Sequence, residues 1–175
     1  MKDAMKFIGL FVVGLIMVVF IYPIIHELSH SIVATILGVK IVEITIFSSP
    51  SVLCNIEGVN STCVTIIGLS GIILPFLFSI IIRPRNFWMW YANFIVQGIS
   101  TLSFLISIIS ILLFVVDMPM INDDITQILL INPSTVLWLF ILSFILFIIA
   151  VTIIVKAKPF RRCEVYFLQN SRVKI

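Results

Sequence analysis

The chain has 175 residues, of which 61% are hydrophobic and 11% are charged, with a net charge of +3 and a mean hydropathy of +1.27. A soluble domain carries about 25% charged residues, so this composition excludes a soluble globular protein. The apolar residues run in long blocks that fit the roughly 30 Å hydrocarbon core of a bilayer. Basic residues lie at the chain ends and in short loops, which argues against a nucleic-acid partner. We therefore expect one integral membrane domain over residues 1–175, with the lipid bilayer as its solvent.

Four apolar spans are predicted. The first covers approximately residues 6–37, and a single helix of that length would measure about 50 Å. Because this exceeds the thickness of a bilayer, we expect a kink or break at Tyr22-Pro23. The other spans cover approximately residues 64–82, 87–116 and 134–155, and a basic tail follows at 156–175.

Residues 39–62, between the first two spans, have a different pattern. Apolar and polar residues alternate from Val39, and turn signals follow at Ser48-Ser49-Pro50 and at Glu57-Gly58. This pattern predicts a small β-hairpin. The expected fold is an all-α polytopic membrane protein with about four transmembrane helices and a hairpin between the first and the second.

The two histidines of the chain stand four residues apart in His26-Glu27-Leu28-Ser29-His30, an HExxH pattern. Positions i and i+4 lie on one face of a helix, so both rings can reach one tetrahedral Zn²⁺. Glu27 lies about 100° round the helix, placed to take a proton from an attacking water and deliver it to a leaving amine. Three ionisable residues in an apolar span are costly, which favours a bound metal. The alternative is a histidine pair hydrogen-bonded between helices.

A catalytic zinc held by two histidines requires a third protein ligand, which here must be a carboxylate or a cysteine. The polar turn after the third span is favoured, because a ligand there brings the end of that span against the first. We expect Asp123 in this role, with Asp124 as the alternative. The remaining candidates are Asp117 in the same turn and, as weaker choices, Glu43, Cys54 and Glu57 in the hairpin. Without a metal, the Asn122-Asp123-Asp124 segment would be a solvated loop or a helix N-cap.

This sequence resembles the site-2 protease family of intramembrane zinc metalloproteases from residue 6 to about residue 130. Four ordered features carry the resemblance: an apolar segment that runs into the HExxH pattern, the step Leu37-Gly38-Val39-Lys40, the strand-like stretch, and Gly68-Leu69-Ser70-Gly71-Ile72-Ile73-Leu74-Pro75, a degenerate form of the family's Ala-Gly-Pro helix start. The HExxH segment is the strong match among them.

Departures from the family indicate a divergent member. The family's third ligand is an aspartate in an Asn-x-x-Pro…Asp-Gly motif, and neither part of it is kept in the corresponding segment, Met118-Pro119-Met120-Ile121-Asn122-Asp123-Asp124. The choice between Asp123 and Asp124 therefore stays open. Ser29 replaces the glycine usual before the second histidine. We find no PDZ-like segment, so we expect substrate selection to come from the membrane core or from partners.

The resemblance implies a zinc-dependent endopeptidase in a multi-pass protein of a prokaryotic cell membrane, acting on membrane-spanning or membrane-proximal peptides. The hairpin would hold an unwound substrate by strand addition. Asn93 and Gln97, four residues apart in the third span, are weak candidates for substrate binding, and interhelical hydrogen bonds are the favoured alternative for them.

Other functions and partners stay open. A non-catalytic metal-binding or accessory membrane subunit, or a small transporter component with a His-Glu relay, would also place these residues in the bilayer. A homo-oligomer or an accessory membrane partner is compatible with each function.

The positive-inside rule puts both termini and the Arg83-Pro84-Arg85 loop in the cytoplasm and the HExxH end outside. The family opens its site toward the cytoplasm, so the two arguments give opposite orientations.

Overall fold

The computed structural model describes residues 2–46 and 50–169 of the chain. Its helices are α1 (Lys2–Ile16), α2 (Tyr22–Ile36), α3 (Ser61–Ile81), α4 (Phe87–Val115), α5 (Asp124–Ile131), α6 (Val136–Lys156) and α7 (Pro159–Gln169). Strands β1 (Ile41–Thr45) and β2 (Ser51–Cys54) lie between α2 and α3. The predicted helical fold with a hairpin between the first two spans is thus confirmed.

Four helical segments are long and apolar enough to cross a membrane, as expected for a multi-pass membrane protein. They are Ala4–Ile36, Ser61–Ile81, Phe87–Val115 and Pro133–Leu168. Each overlaps a predicted span, and the fourth extends past residue 155 because α7 follows α6 after a short turn. The ammonium group of Lys6 donates to the carbonyl oxygen of Phe167 at 3.2 Å. Both ends of the described chain therefore lie at the same end of the helix bundle.

The first span is one helical segment that contains a π-helical turn at Met17–Ile21. In this turn the amide of Tyr22 donates to the carbonyl of Met17, five residues earlier. Pro23 has no amide hydrogen and cannot continue the ordinary α-helical ladder. The widened turn lies directly before it, where such irregularities are commonly found. The irregularity expected at Tyr22-Pro23 is thus a π-helical turn, and the helix continues through it.

The hairpin packs beside the HExxH segment. Its strands are antiparallel, with Ile44 opposite Val52 and Thr45 opposite Ser51. The predicted turn at residues 48–50 falls largely on residues 47–49, outside the described part of the chain. β2 contacts α2, which brings one strand of the two-stranded sheet close to the predicted site.

α5 is a short helix in the polar turn after the third span, where the sequence predicted either a loop or a helix cap. It has only eight residues, and isolated helices of this length are unstable in water. Ile125, Ile128 and Leu129 are almost completely buried in the main core, against side chains of α3, α4 and α6. Tertiary packing therefore fixes α5, and with it the aspartate at its first position.

The predicted basic tail is helical over Pro159–Gln169 as α7, and residues 170–175 lie outside the described part of the chain. Proline is favoured at the first position of a helix because its missing amide hydrogen has no helical partner there. The ring of Tyr166 stacks on Phe87 of α4 with ring centroids 3.9 Å apart. Aromatic contact with the bundle therefore orders a segment that its charge alone indicated to be a surface tail.

Candidate metal centre

Three side chains from two helices converge at one point of the bundle. Nε2 of His26 lies 3.0 Å and Nε2 of His30 lies 3.4 Å from Oδ2 of Asp124. The two Nε2 atoms are 3.2 Å apart. Ligand atoms bound tetrahedrally to zinc at 2.0–2.2 Å are separated by about 3.3–3.6 Å, and the sides of this triangle lie within a few tenths of an ångström of that range. Within the described residues it is the one group of three or more His, Cys, Asp or Glu side chains close enough together to hold a metal.

His30 is oriented by the backbone of α3. Its Nδ1 donates to the carbonyl oxygen of Ile67 at 2.7 Å. This hydrogen bond fixes the tautomer in which Nε2 is free to bind a metal. The hydroxyl of Ser70 donates to the same carbonyl at 2.6 Å and lies 3.4 Å from Nδ1. An outer layer of hydrogen bonds thus supports the ring, as metal-binding histidines require.

The two adjacent aspartates of the polar turn have different partners. Oδ1 of Asp123 accepts from the amide of Thr126 at 2.8 Å, which makes Asp123 the N-cap of α5. Its Oδ2 accepts from the hydroxyl of Ser110 at 2.7 Å. Asp123, the first choice from the sequence, is therefore directed away from the histidines, and Asp124, the alternative, is brought to them. The helix-cap interpretation of this turn thus describes Asp123, and the ligand interpretation describes Asp124.

The carboxyl group of Asp124 is electrostatically suited to a metal. Burial opposes its ionisation, but the imidazoles of His26 and His30 beside it outweigh this effect and lower its pKa well below the ordinary value. Metal-binding carboxylates must be ionised. The weaker candidates from the sequence do not join the ligand group: they are Asp117, Glu43, Cys54 and Glu57.

Two glycines of α3 allow the close approach that assembles the site. A Cβ atom at Gly71 would lie 2.6 Å from Cε1 of His30 and 2.7 Å from Cε1 of His26. A Cβ atom at Gly68 would lie 2.8 Å from Cδ1 of Ile128, in α5. Gly71 therefore leaves space for the histidine rings, and Gly68 leaves space for the helix that carries Asp124. The sequence singled out this segment by resemblance but did not predict its packing role, although residues three apart lie on one helix face and small residues let neighbouring helices approach closely.

Two cavities border the ligand group. Glu27, His30 and Asp124 line one of about 340 Å³, whose wall includes Ser51 and Val52 of β2. His26 and Asp124 also line a second cavity, of about 260 Å³, whose other polar wall residues are Ser103, Ser107, Asn122 and Asp123. The site is thus open on the hairpin side, where Glu27 lies, and on the α4 side.

Asn93 and Gln97 lie in a helix contact. Nδ2 of Asn93 and Nε2 of Gln97 both donate to the carbonyl oxygen of Ser79, at 2.7 and 3.3 Å. Ser79 belongs to the last turn of α3, where carbonyl groups have no partner within the helix. The two side-chain amides therefore supply hydrogen bonds to a carbonyl group at the end of α3. Neither residue lines a cavity that borders Asp124.

Neither a protein-family profile, nor a curated protein, nor a solved structure matches this chain. The assignment of a function therefore rests on the sequence motif and on the geometry of the ligand group.

Proposed function

We propose that this protein is a zinc-dependent intramembrane endopeptidase of the site-2 protease type, in a prokaryotic cell membrane. The observation that carries the proposal is the triangle formed by His26, His30 and Asp124, whose sides match the ligand spacing of tetrahedral zinc. Three protein ligands leave a fourth position open, as catalytic zinc sites do and structural sites do not. Glu27 follows the first ligand in the sequence and lines a cavity together with His30 and Asp124. It supplies the carboxylate that hydrolysis needs as a proton carrier.

In this proposal each residue has a distinct chemical role. His26, His30 and Asp124 would hold the ion, which when bound supplies Lewis-acid polarisation of water and of the scissile carbonyl. Glu27 takes a proton from the attacking water as the new carbon–oxygen bond forms. It then delivers that proton to the amide nitrogen as the carbon–nitrogen bond breaks. The products are a carboxylic acid and an amine, so no further reactant is required.

The position of β2 supports a peptide as the substrate. A transmembrane helix hides its carbonyl groups in its own hydrogen bonds, and an unwound segment needs new backbone partners in the bilayer. The described sheet has two strands, so each strand has one edge without a strand neighbour in the sheet. Ser51 and Val52 share a cavity with Glu27. A membrane-spanning or membrane-proximal peptide added along β2 would lie beside the proposed acid/base.

A cleavage assay with a matched pair of glutamate variants tests the proposal. Purified protein is reconstituted in bicelles with a library of single-span peptides that carry a fluorophore and a quencher, and zinc is quantified by mass spectrometry. Glu27→Gln should abolish cleavage and retain zinc, because it removes the proton carrier and keeps the three ligands. Glu43→Gln removes the same charge from an exposed position of β1 and should cleave like the wild type.

The alternatives predict other outcomes. Cleavage that survives Glu27→Gln would contradict the protease mechanism. Bound zinc without cleavage of any peptide in the library would favour a non-catalytic metal-binding or accessory subunit. Ion flux in proteoliposomes that persists after removal of zinc by a chelator would favour a transporter component with a His-Glu relay.

A further inference from the structure

A cavity of about 540 Å³ lies at the other end of the bundle from the metal centre. It is an open cavity bordered by the loop before α4, the first turn of α4, the end of α6, and α7. Trp90 lines this cavity, and Ser103 lines one of the cavities beside the metal centre. These two residues of α4 are separated by about 20 Å along the helix axis. The cavity is therefore distinct from the proposed catalytic site.

The walls of this cavity are strongly basic. Five cationic side chains line it: Arg85, Lys156, Lys158, Arg161 and Arg162. No aspartate or glutamate lines it, and among the described residues none of the five forms a salt bridge with a carboxylate. Like charges concentrated in a concave site repel one another and attract an anion. The charge of this cavity thus suits a ligand with negative charge.

Packing holds one of these cations, Arg162, in place. The guanidinium group of Arg162 lies over the ring of Trp90, 5.2 Å from its centroid. Tyr166 stacks on Phe87 and fixes α7 against α4. Lys158 adopts a φ of 48° in the turn between α6 and α7, a conformation that favours glycine and is strained for other residues. A cation thus occupies a turn position that a glycine would fill with less strain.

The location of the cavity indicates the source of the anion. Three membrane-spanning helices begin or end beside it, and Phe87, Trp88 and Trp90 mark the level where aromatic residues meet lipid headgroups. On α7, Phe160 is 91% exposed and lies between Lys158 and Arg161 in the sequence. A helix with exposed apolar and basic residues at a membrane surface is typical of interfacial helices. We propose that this cavity binds the phosphate-bearing headgroup of an anionic phospholipid, while Phe160 contacts the adjoining acyl chains.

Two exposed cations provide a matched test. Arg85 lines this cavity, whereas Lys40, which directly precedes β1, does not line it. The protein is reconstituted in nanodiscs of phosphatidylcholine with or without a minor fraction of phosphatidylglycerol, and retained lipid is measured by native mass spectrometry. Arg85→Gln should bind phosphatidylglycerol about fivefold more weakly, the effect of one basic residue at an anionic surface. Lys40→Gln removes one positive charge away from the cavity and should bind like the wild type. An equal loss in both variants would overturn the proposal, because lipid binding would then depend on the total charge of the protein and not on this cavity.

A second variant separates lipid binding from folding. Lys158→Gly removes a cation and relieves the strained φ, so in phosphatidylcholine it should melt at or above the temperature of the wild type. In phosphatidylglycerol it should lose part of the stabilisation that the wild type gains. An unchanged gain would contradict the role of the cavity. Glycerol phosphate added in solution should not compete with the lipid, and full competition would show a site for soluble phosphates instead of a lipid site.

Discussion

The carboxylates of Asp123 and Asp124 are adjacent in the chain and have no hydrogen-bonding partner in common. Asp123 accepts from the Thr126 amide and the Ser110 hydroxyl, whereas Asp124 lies against both histidines of the HExxH pattern. The first residue fixes where α5 begins, and the second uses that fixed position to complete a ligand triangle. A cap and a candidate metal ligand thus cooperate within two residues.

The capping role of Asp123 predicts how its variants differ in stability. Asp123→Ala removes the acceptor for the Thr126 amide and should lower the free energy of unfolding by about 1 kcal/mol. Asp123→Asn retains a side-chain oxygen that caps a helix as well as aspartate does, so it should cost much less. Unfolding by sodium dodecyl sulfate in mixed micelles measures both values. Equal losses for the two variants would show that the charge of Asp123, and not its capping oxygen, matters.

The close contact at Gly71 predicts a specific loss of metal. The methyl group in Gly71→Ala would overlap the rings of His26 and His30, which must move away from their shared point. Zinc affinity should fall at least tenfold, the lower range for loss of an outer contact of a metal site. Gly98→Ala is the matched control, because a Cβ atom there meets nothing within 4 Å. Competition with a fluorescent zinc chelator measures the affinity, and wild-type affinity in Gly71→Ala would show that this close contact does not position the histidine rings.

The interhelical contact of Asn93 predicts an effect on stability without an effect on catalysis. Asn93→Leu leaves the Ser79 carbonyl with Gln97 as its remaining side-chain donor, so unfolding should become easier by about 0.6–1.7 kcal/mol. Zinc content and the KM for a cleaved peptide should not change. A raised KM with unchanged stability would instead support the substrate-binding role that the sequence suggested for Asn93 and Gln97.

The hydropathy pattern predicted the parts of the fold that the bilayer itself dictates. Long apolar runs have few alternatives to membrane-spanning helices, and the alternation after Val39 marked the hairpin. Of the two short helices, α5 was expected only as an alternative to a loop and α7 was not predicted, because long-range contacts stabilise both. Leu129 of α5 is buried by helices distant in the sequence, and Tyr166 of α7 stacks on Phe87. Neither contact leaves a periodic signal in the segment itself.

The sequence predicted the types of residue that the structure brings together, and it predicted less well which of the two aspartates is among them. The HExxH spacing identifies its own helix face, because two ligands one turn apart need no tertiary information. The third ligand depends on where α5 begins, and a shift of one residue exchanges Asp123 and Asp124. A signal was present: Asp123 precedes Asp124 and the apolar run from Ile125, as an N-cap does. A carboxylate that already accepts a hydrogen bond from a helix amide is a poor metal ligand. The adjacent Asp124 is therefore the better candidate for the third ligand.

The most direct test of the account is the zinc content of purified Asp124→Asn beside that of Asp123→Asn and the wild type. These two variants remove the same charge from adjacent positions, so their difference isolates the ligand role. We predict that the wild type and Asp123→Asn bind one zinc per chain, and that Asp124→Asn loses more than about a hundredfold in affinity, beyond the range for loss of an outer contact. Zinc bound by Asp124→Asn with the affinity of the wild type would contradict the proposed metal centre.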